Sequence, residues 1–180
     1  MSANVESYGD LQIMARYNRW ANRRVYDCVA GLDDDAYRRD RGAFFGSIHA
    51  TLNHLLVVDR LWTSRILGDY HGIKSLDQIL HDEFDALRGA RSAMDDHIVR
   101  VVDRLCVGLD GGLDKEILYR MISGGDKHAS PARHILLTLF NHQTHHRGQV
   151  HCLLTQAGVE NPPELDVIVM LGELNDGHPE

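Results

Sequence analysis

Histidines are concentrated in one short stretch of the chain, residues 140–154, which reads FNHQTHHRGQVHCLL. Two of them, His142 and His146, are four residues apart, and side chains at that spacing lie one turn apart on the same helix face. Neutral imidazoles are common ligands of zinc and other transition metals. The spacing therefore indicates a metal site, although a chain with twelve histidines is also expected to contain such a pair by chance.

The direction in which the two histidines face distinguishes a metal site from coincidence. At about 100° per residue, His142 and His146 share a stripe with apolar side chains that must enter the core. These are Ile135, Leu139, Val150 and Leu153. Two buried imidazoles without partners would each cost about 1–3 kcal/mol, and a metal ion would satisfy both. The alternative is a pair of core histidines that are hydrogen-bonded to side chains or water.

The remaining polar residues of the stretch face in other directions. His145 and His151 point away from the stripe, so we predict that they lie at the surface or around the site without binding the metal. Gln149 lies one turn beyond His146 and is a candidate hydrogen-bond partner for a ligand. Arg147 points to the other side of the stripe, where we predict a salt bridge.

A third metal ligand must come from another helix, and His54, His49 and Asp59 are among the candidates. Asp59 lies within the leucine stripe of its helix, where it is either a packing or salt-bridge residue or the carboxylate base of a hydrolase. His54 projects well away from that stripe. If His54 is the ligand, its helix must bury a second face, which a homodimer interface would supply.

Hydrophobic periodicity predicts four long amphipathic helices that would position these side chains. Their approximate ranges are Ser7–Val29, Ile48–Leu67, Leu76–Cys106 and Ser130–Gln156. Ser47 is well placed as the N-cap of the second helix, and Ser130 before Pro131 as the N-cap of the fourth. Residues 33–47 are predicted to form a loop. The fold class is therefore all-α, a four-helix bundle.

The stretch between the third and fourth helices has a different character. Glycine pairs bracket residues 116–122, in which apolar and polar side chains alternate. This pattern predicts a short extended or hairpin insertion. The apolar residues 167–171 are expected to pack back on the bundle.

Length and composition indicate one globular domain over residues 1–180. The net charge of -7 argues against a protein that binds nucleic acid by neutralising phosphates. The sequence has neither a membrane-spanning stretch nor a secretion signal, so we expect a cytoplasmic protein that does not bind membranes. Cys28, Cys106 and Cys152 form no CxxC motif, which favours reduced thiols.

Three motifs together resemble the DinB family of metalloproteins related to DNA-damage-inducible proteins. They are YNRWAN at residues 17–22, GSIHATLNHLLVVDRLW at residues 46–62 and FNHQTHHRGQVHCLLTQAG at residues 140–158. The resemblance implies a bundle with up-down-down-up connectivity, commonly a homodimer, and a divalent metal, zinc or nickel, on three histidines. Carried over by motif, the ligands are His54, His142 and His146.

The same resemblance implies a function in stress response or detoxification. Some relatives are transferases or isomerases that use low-molecular-weight thiols, so the expected partners are a thiol or small-molecule substrate and a second copy of the chain. A metal-dependent hydrolase that activates water and a non-catalytic metal-binding stress protein are the alternatives. Asn18, which lies in the apolar stripe of the first helix, Asp59 and Gln149 are candidates for the surroundings of the metal.

Overall fold

The computed structural model describes residues 8–69 and 72–176 and is mostly helical, with one small two-stranded sheet. The helices are α1 (Asp10–Val29), α2 (Asp34–Arg38), α3 (Ile48–Leu67), α4 (Phe84–Cys106), α5 (Ala132–Gln156) and α6 (Val167–Asn175). The strands are β1 (Glu116–Tyr119) and β2 (His128–Pro131). Within the described ranges, none of the helices combines the length and apolar character needed to cross a bilayer.

The four long helices pack side by side in two antiparallel pairs. In the first pair, Arg16 of α1 binds Asp103 of α4, whereas Asp27 near the end of α1 binds Arg88 near the start of α4. In the second pair, the start of α3 packs against the end of α5, and the end of α3 packs against the start of α5. Contacts of α1 with α5 and of α3 with α4 join the two pairs around a shared interior.

Helix α3 has the predicted bounds, and its ends are set by local chemistry. The hydroxyl of Ser47 accepts a hydrogen bond from the amide of Ala50 at 3.1 Å, as an N-cap residue does. Gly68 ends the helix with a φ of 82°, which is a left-handed conformation that glycine adopts at low cost. His54 therefore lies on a well-delimited helix of 20 residues.

Helix α4 begins at Phe84, so the prediction that it begins at Leu76 is wrong. Residues 72–83, called here the cover segment, lie instead against α3. Ile73 of the cover segment is buried with Val57 and Leu61 of α3, and Leu80 packs on the same cluster. The apolar residues that suggested a longer helix are used to cover a second face of α3.

The other helix starts also differ from the predictions. Ser7 lies outside the described residues, and α1 begins at Asp10. Within the predicted loop 33–47, Asp33 caps the short helix α2 by accepting a hydrogen bond from Ala36. Ser130 belongs to β2, so Pro131 rather than Ser130 occupies the N-cap position of α5.

The insertion between α4 and α5 is a β-hairpin. Strand β1 pairs antiparallel with β2, and Ile117 of β1 is buried in the main core. After α5, Met170 of α6 packs against Tyr17 and Trp20 of α1, as expected for the apolar residues 167–171. The hairpin therefore adds Ile117 to the main core, and α6 packs on the outer side of α1.

Candidate metal centre

Three histidines from two helices converge at one point. His54 comes from α3, and His142 and His146 come from successive turns of α5. The Nε2 atoms of His54 and His142 lie 3.0 Å apart, and the ligand nitrogens of all three residues lie within 4.8 Å of one another. Within residues 8–69 and 72–176, no other histidine, cysteine or carboxylate joins this cluster.

Two of the three imidazoles are oriented by hydrogen bonds on their far sides. The carbonyl of Leu76 in the cover segment accepts from Nδ1 of His54 at 2.7 Å, and the Oε1 of Gln149 accepts from Nδ1 of His146 at 2.7 Å. A proton on Nδ1 leaves the lone pair on Nε2, which faces the cluster. The buried Nδ1 of His142 has no hydrogen-bond partner among the described residues, and its ring centroid lies 4.9 Å from that of His54 and 4.3 Å from that of His146.

The surroundings of the cluster keep its imidazoles neutral at pH 7. Burial lowers the pKa of His54 to about 4 and that of His142 to about 3, and the proximity of the other histidines adds to both shifts. Burial also lowers the pKa of His146, against a hydrogen bond to Gln149 that raises it. A neutral imidazole carries a nitrogen lone pair that can bind a metal cation, whereas a protonated one does not. The donor set therefore fits a divalent transition metal.

A hydrogen bond beside the cluster sets the register between the two helices that carry the histidines. Gln143, which follows His142, donates from Nε2 to the Oδ2 of Asp59, five residues after His54 on α3. Both side chains are completely buried. Since a buried polar pair tolerates little sliding of its helices, this contact holds His54 opposite the α5 histidines.

The pair of Asp59 and Gln143 belongs to a larger buried polar network that joins all four long helices. Its members are Asn18, Asn22, Asp59, Arg91, Asp95, Gln143 and Arg147. Each member is at most 3% exposed. With two carboxylates and two guanidinium groups, the network is formally balanced in charge, as buried charges generally require.

The network accounts for the environments of Asn18, Asp59 and Arg147. Asn18 donates to Asp95, and Asp59 accepts from Arg91 and Gln143, so both are joined to the network rather than hydrogen-bonded to a histidine of the cluster. The predicted salt bridge of Arg147 is wrong. Its buried guanidinium instead donates to the side-chain oxygens of Asn18, Asn22 and Gln143.

The second face of α3, on which His54 lies, is covered by the chain itself. Asn53 fastens the cover segment: its Oδ1 accepts from the amides of Leu80 and His81, and its Nδ2 donates to the carbonyl of His81 at 3.1 Å. The same segment carries the Leu76 carbonyl that orients His54. The burial of His54 therefore does not depend on a homodimer interface.

We expect that Asn53→Ala will detach the cover segment from α3. The substitution removes the acceptor of two backbone amides and should lower the free energy of unfolding by about 1–3 kcal/mol. Chemical denaturation of the metal-free protein measures the loss, and faster hydrogen exchange at Leu80 and His81 would localise it. Asn141→Ala, at an exposed position of α5, is the matched control. Equal costs for the two variants would contradict the role of Asn53.

Sequence reasoning missed three parts of the centre. Phe45 stacks on His54 with ring centroids 3.9 Å apart, and its ring lies 5.6 Å from that of His146. The available signal was its position two residues before the N-cap Ser47. Asn53 was the second missed part, and its signal was a polar side chain next to His54 in an apolar helix. The carbonyl of Leu76 was the third, and it had no signal in the sequence because it belongs to the backbone.

A mostly helical protein with three converging, neutral histidines is a candidate metalloprotein, and comparison with known proteins gives its family. The DinB family model matches residues 1–170, and the chain belongs to the DinB family. It is also similar to Protein DinB of Bacillus subtilis (strain 168), with 26% identity over 150 residues that make up 82% of this chain and 86% of that protein. The comparison with solved structures gave no match.

Proposed function

We propose that the protein is a divalent-metal-dependent enzyme of the DinB type that transfers a low-molecular-weight thiol to an electrophile, in stress response or detoxification. The observation that carries the proposal is the cluster of His54, His142 and His146. Closed structural zinc sites use four protein ligands, whereas three leave a position for a substrate. Zinc or nickel suits the imidazole donors.

The chain's own residues would hold and shield such a centre. The Leu76 carbonyl and Gln149 fix the tautomers of His54 and His146, and Phe45 covers one face of the His54 ring. A divalent ion bound there would act as a Lewis acid that favours the thiolate form of a thiol. In the proposed transfer, the thiol sulfur forms a bond to an electrophilic carbon, the bond from that carbon to its leaving group breaks, and the thiol proton passes to solvent.

Thiol transfer is favoured over hydrolysis by the position of Asp59. A hydrolase of this kind would need a carboxylate base near the metal, and Asp59 was the candidate. Its Oδ2 accepts hydrogen bonds from Arg91 and Gln143, and the residue is completely buried. Asp59 is therefore unsuited to take a proton from a water molecule at the histidines.

We also propose that the four long helices form the up-down-down-up bundle expected of the family. The antiparallel pairs α1 with α4 and α3 with α5 support this connectivity. So do the parallel contacts between α3 and α4, where Asp59 meets Arg91 and Thr63 meets Met94. Distance measurements between spin labels at the helix ends test this connectivity, and a short distance between the start of α3 and the end of α4 would contradict it.

The proposed function is tested in two steps with protein purified without a histidine tag. Elemental analysis should give about one zinc or nickel per chain, as expected for a three-histidine site. Turnover is then assayed with a panel of thiols and a chromogenic aryl halide. Activity that is lost with chelator and restored by the metal supports the transferase. A loaded protein that shows no activity with any thiol would instead be a metal-binding protein without turnover.

A smaller effect is expected at Gln149, which orients His146. Gln149→Leu removes the acceptor of the His146 Nδ1 proton and should weaken metal affinity by about 10–100-fold. Competition with a chromophoric chelator measures the affinity. Gln156→Leu makes the same change at an exposed position of α5 and should leave it unchanged. Equal affinities for the two variants would show that Gln149 does not support the site.

A further inference from the structure

A cavity lies between the C-terminal part of α3 and the β-hairpin. Its volume is about 480 Å³, within the range of small-molecule sites. Three cationic side chains line it, Arg65 from α3 and Arg120 and Lys127 from the loop between β1 and β2. None of the three forms a salt bridge with a carboxylate in the described part of the chain. A group of unpaired cations is unexpected in a protein of net charge -7.

Arg65 is held in place although it has no acidic partner. Its guanidinium lies 4.6 Å above the ring of Trp62 and 5.3 Å from the ring of Tyr119, and it donates to the carbonyl of Arg120. Burial lowers the pKa of Arg65, since water is partly excluded from the charge. A partly buried guanidinium is normally paired with an anion, and its planar donors match a carboxylate. The guanidinium of Arg65 is thus already positioned to pair with an anionic ligand.

Apolar side chains complete the lining of the cavity. Leu118 is 68% exposed and Met121 is 49% exposed, whereas Ile122 packs on Val57 and Leu61 of α3. Exposed apolar side chains beside fixed cations suit a ligand with an apolar body and an anionic head. A free inorganic anion would use only the cations, and a neutral apolar molecule would leave them without a partner.

We propose that this cavity binds a small organic carboxylate with an apolar body, whose carboxylate pairs with Arg65 and Lys127 and whose body lies against Leu118 and Met121. The site is separate from the histidine cluster. Arg65 follows His54 by 11 residues on α3, which corresponds to about 16 Å along a helix. Binding should therefore occur in metal-free protein, and it does not rest on the proposed transferase activity.

The proposal is tested by titrating the full-length, metal-free protein with octanoate in a calorimeter, with octanol and octylamine as probes of the same apolar length. Octanoate should bind with a measurable affinity, and the other two should bind at least about ten-fold more weakly, as expected when a charge-assisted hydrogen bond is lost. Octanol binding as tightly as octanoate would overturn the proposal, as would no binding of octanoate.

Variants identify the site. Arg65→Gln should weaken octanoate binding by about ten-fold or more, whereas Arg60→Gln should not, because Arg60 lies at an exposed position of the same helix outside the cavity. Arg65 also packs on Trp62, so Lys127→Glu, at an exposed loop position, provides a variant whose folding is not at risk. Unchanged affinity in Lys127→Glu, or equal affinity in the two arginine variants, would overturn the assignment.

Discussion

His54→Ala is expected to reduce the metal content of the protein from about one ion per chain to nearly none. His54 is the sole ligand that α3 supplies to the cluster, and without it the remaining pair, His142 and His146, belongs to one helix. Two imidazoles leave the ion without the donor that closes the site between the helices. Elemental analysis after dialysis against a weak chelator measures the content.

His151→Ala is the matched control for this experiment. His151 lies on α5 with the two histidines of that helix, but it does not belong to the cluster. The two variants lose the same side chain, so any general effect of removing a histidine should appear in both. Equal loss of metal from the two variants, or full metal content in His54→Ala, would contradict the assignment of the centre.

The direction in which the side chains of α5 point is the feature of the site that can be predicted best from the sequence. A single helical stripe selected His142 and His146 from four neighbouring histidines, and the structure brings both to the cluster. His54 was different, because periodicity placed it off the stripe of its own helix and only the family motif favoured it. A helix that buries two faces has no single stripe, so a periodic pattern cannot assign its second face.

The cover segment shows why periodicity does not reveal what lies on the second face of α3. Leu76 and Leu80 continue the apolar spacing of α4, and local periodicity therefore assigned them to that helix. In the structure, the Leu80 amide binds Asn53 and the Leu76 carbonyl binds His54. These are contacts between residues more than 20 positions apart, some of them through the backbone, which carries no signature in side-chain type.

The buried polar network was visible in the sequence only in pieces. Asn18 and Asp59 stand out in the sequence as polar residues inside apolar stripes, which indicates that each needs a partner but does not identify it. The apolar stripe of α5 is narrower than its buried surface, so the stripe alone places Arg147 outside the core. Its helix faces α1 as well as α3, and the additional buried face carries both Gln143 and Arg147.

Asp59→Asn is expected to lower the free energy of unfolding by about 3–5 kcal/mol, the usual cost of removing one partner from a buried ion pair. Asp59 is completely buried and lies 2.7 Å from the Nη1 of Arg91. Without its charge, the guanidinium groups of Arg91 and Arg147 share a single buried carboxylate, that of Asp95. Urea denaturation of the metal-free protein measures the loss apart from any effect on metal binding.

Asp96→Asn provides the control, because Asp96 pairs with Arg19 at the surface of α4 with half of its side chain exposed. Such a pair contributes about 0–1 kcal/mol. A cost for Asp59→Asn in the same range would contradict the role given to the network.

A double variant distinguishes charge balance from the loss of one hydrogen bond. Adding Arg91→Met to Asp59→Asn leaves Asp95 and Arg147 as the buried charges of the network, so its formal charge returns to zero. If the uncompensated guanidinium causes most of the cost, the double variant should be no less stable than Asp59→Asn alone. If the two substitutions were additive, the individual hydrogen bonds would dominate, and the four helices would be held together by those contacts rather than by the balance of buried charge.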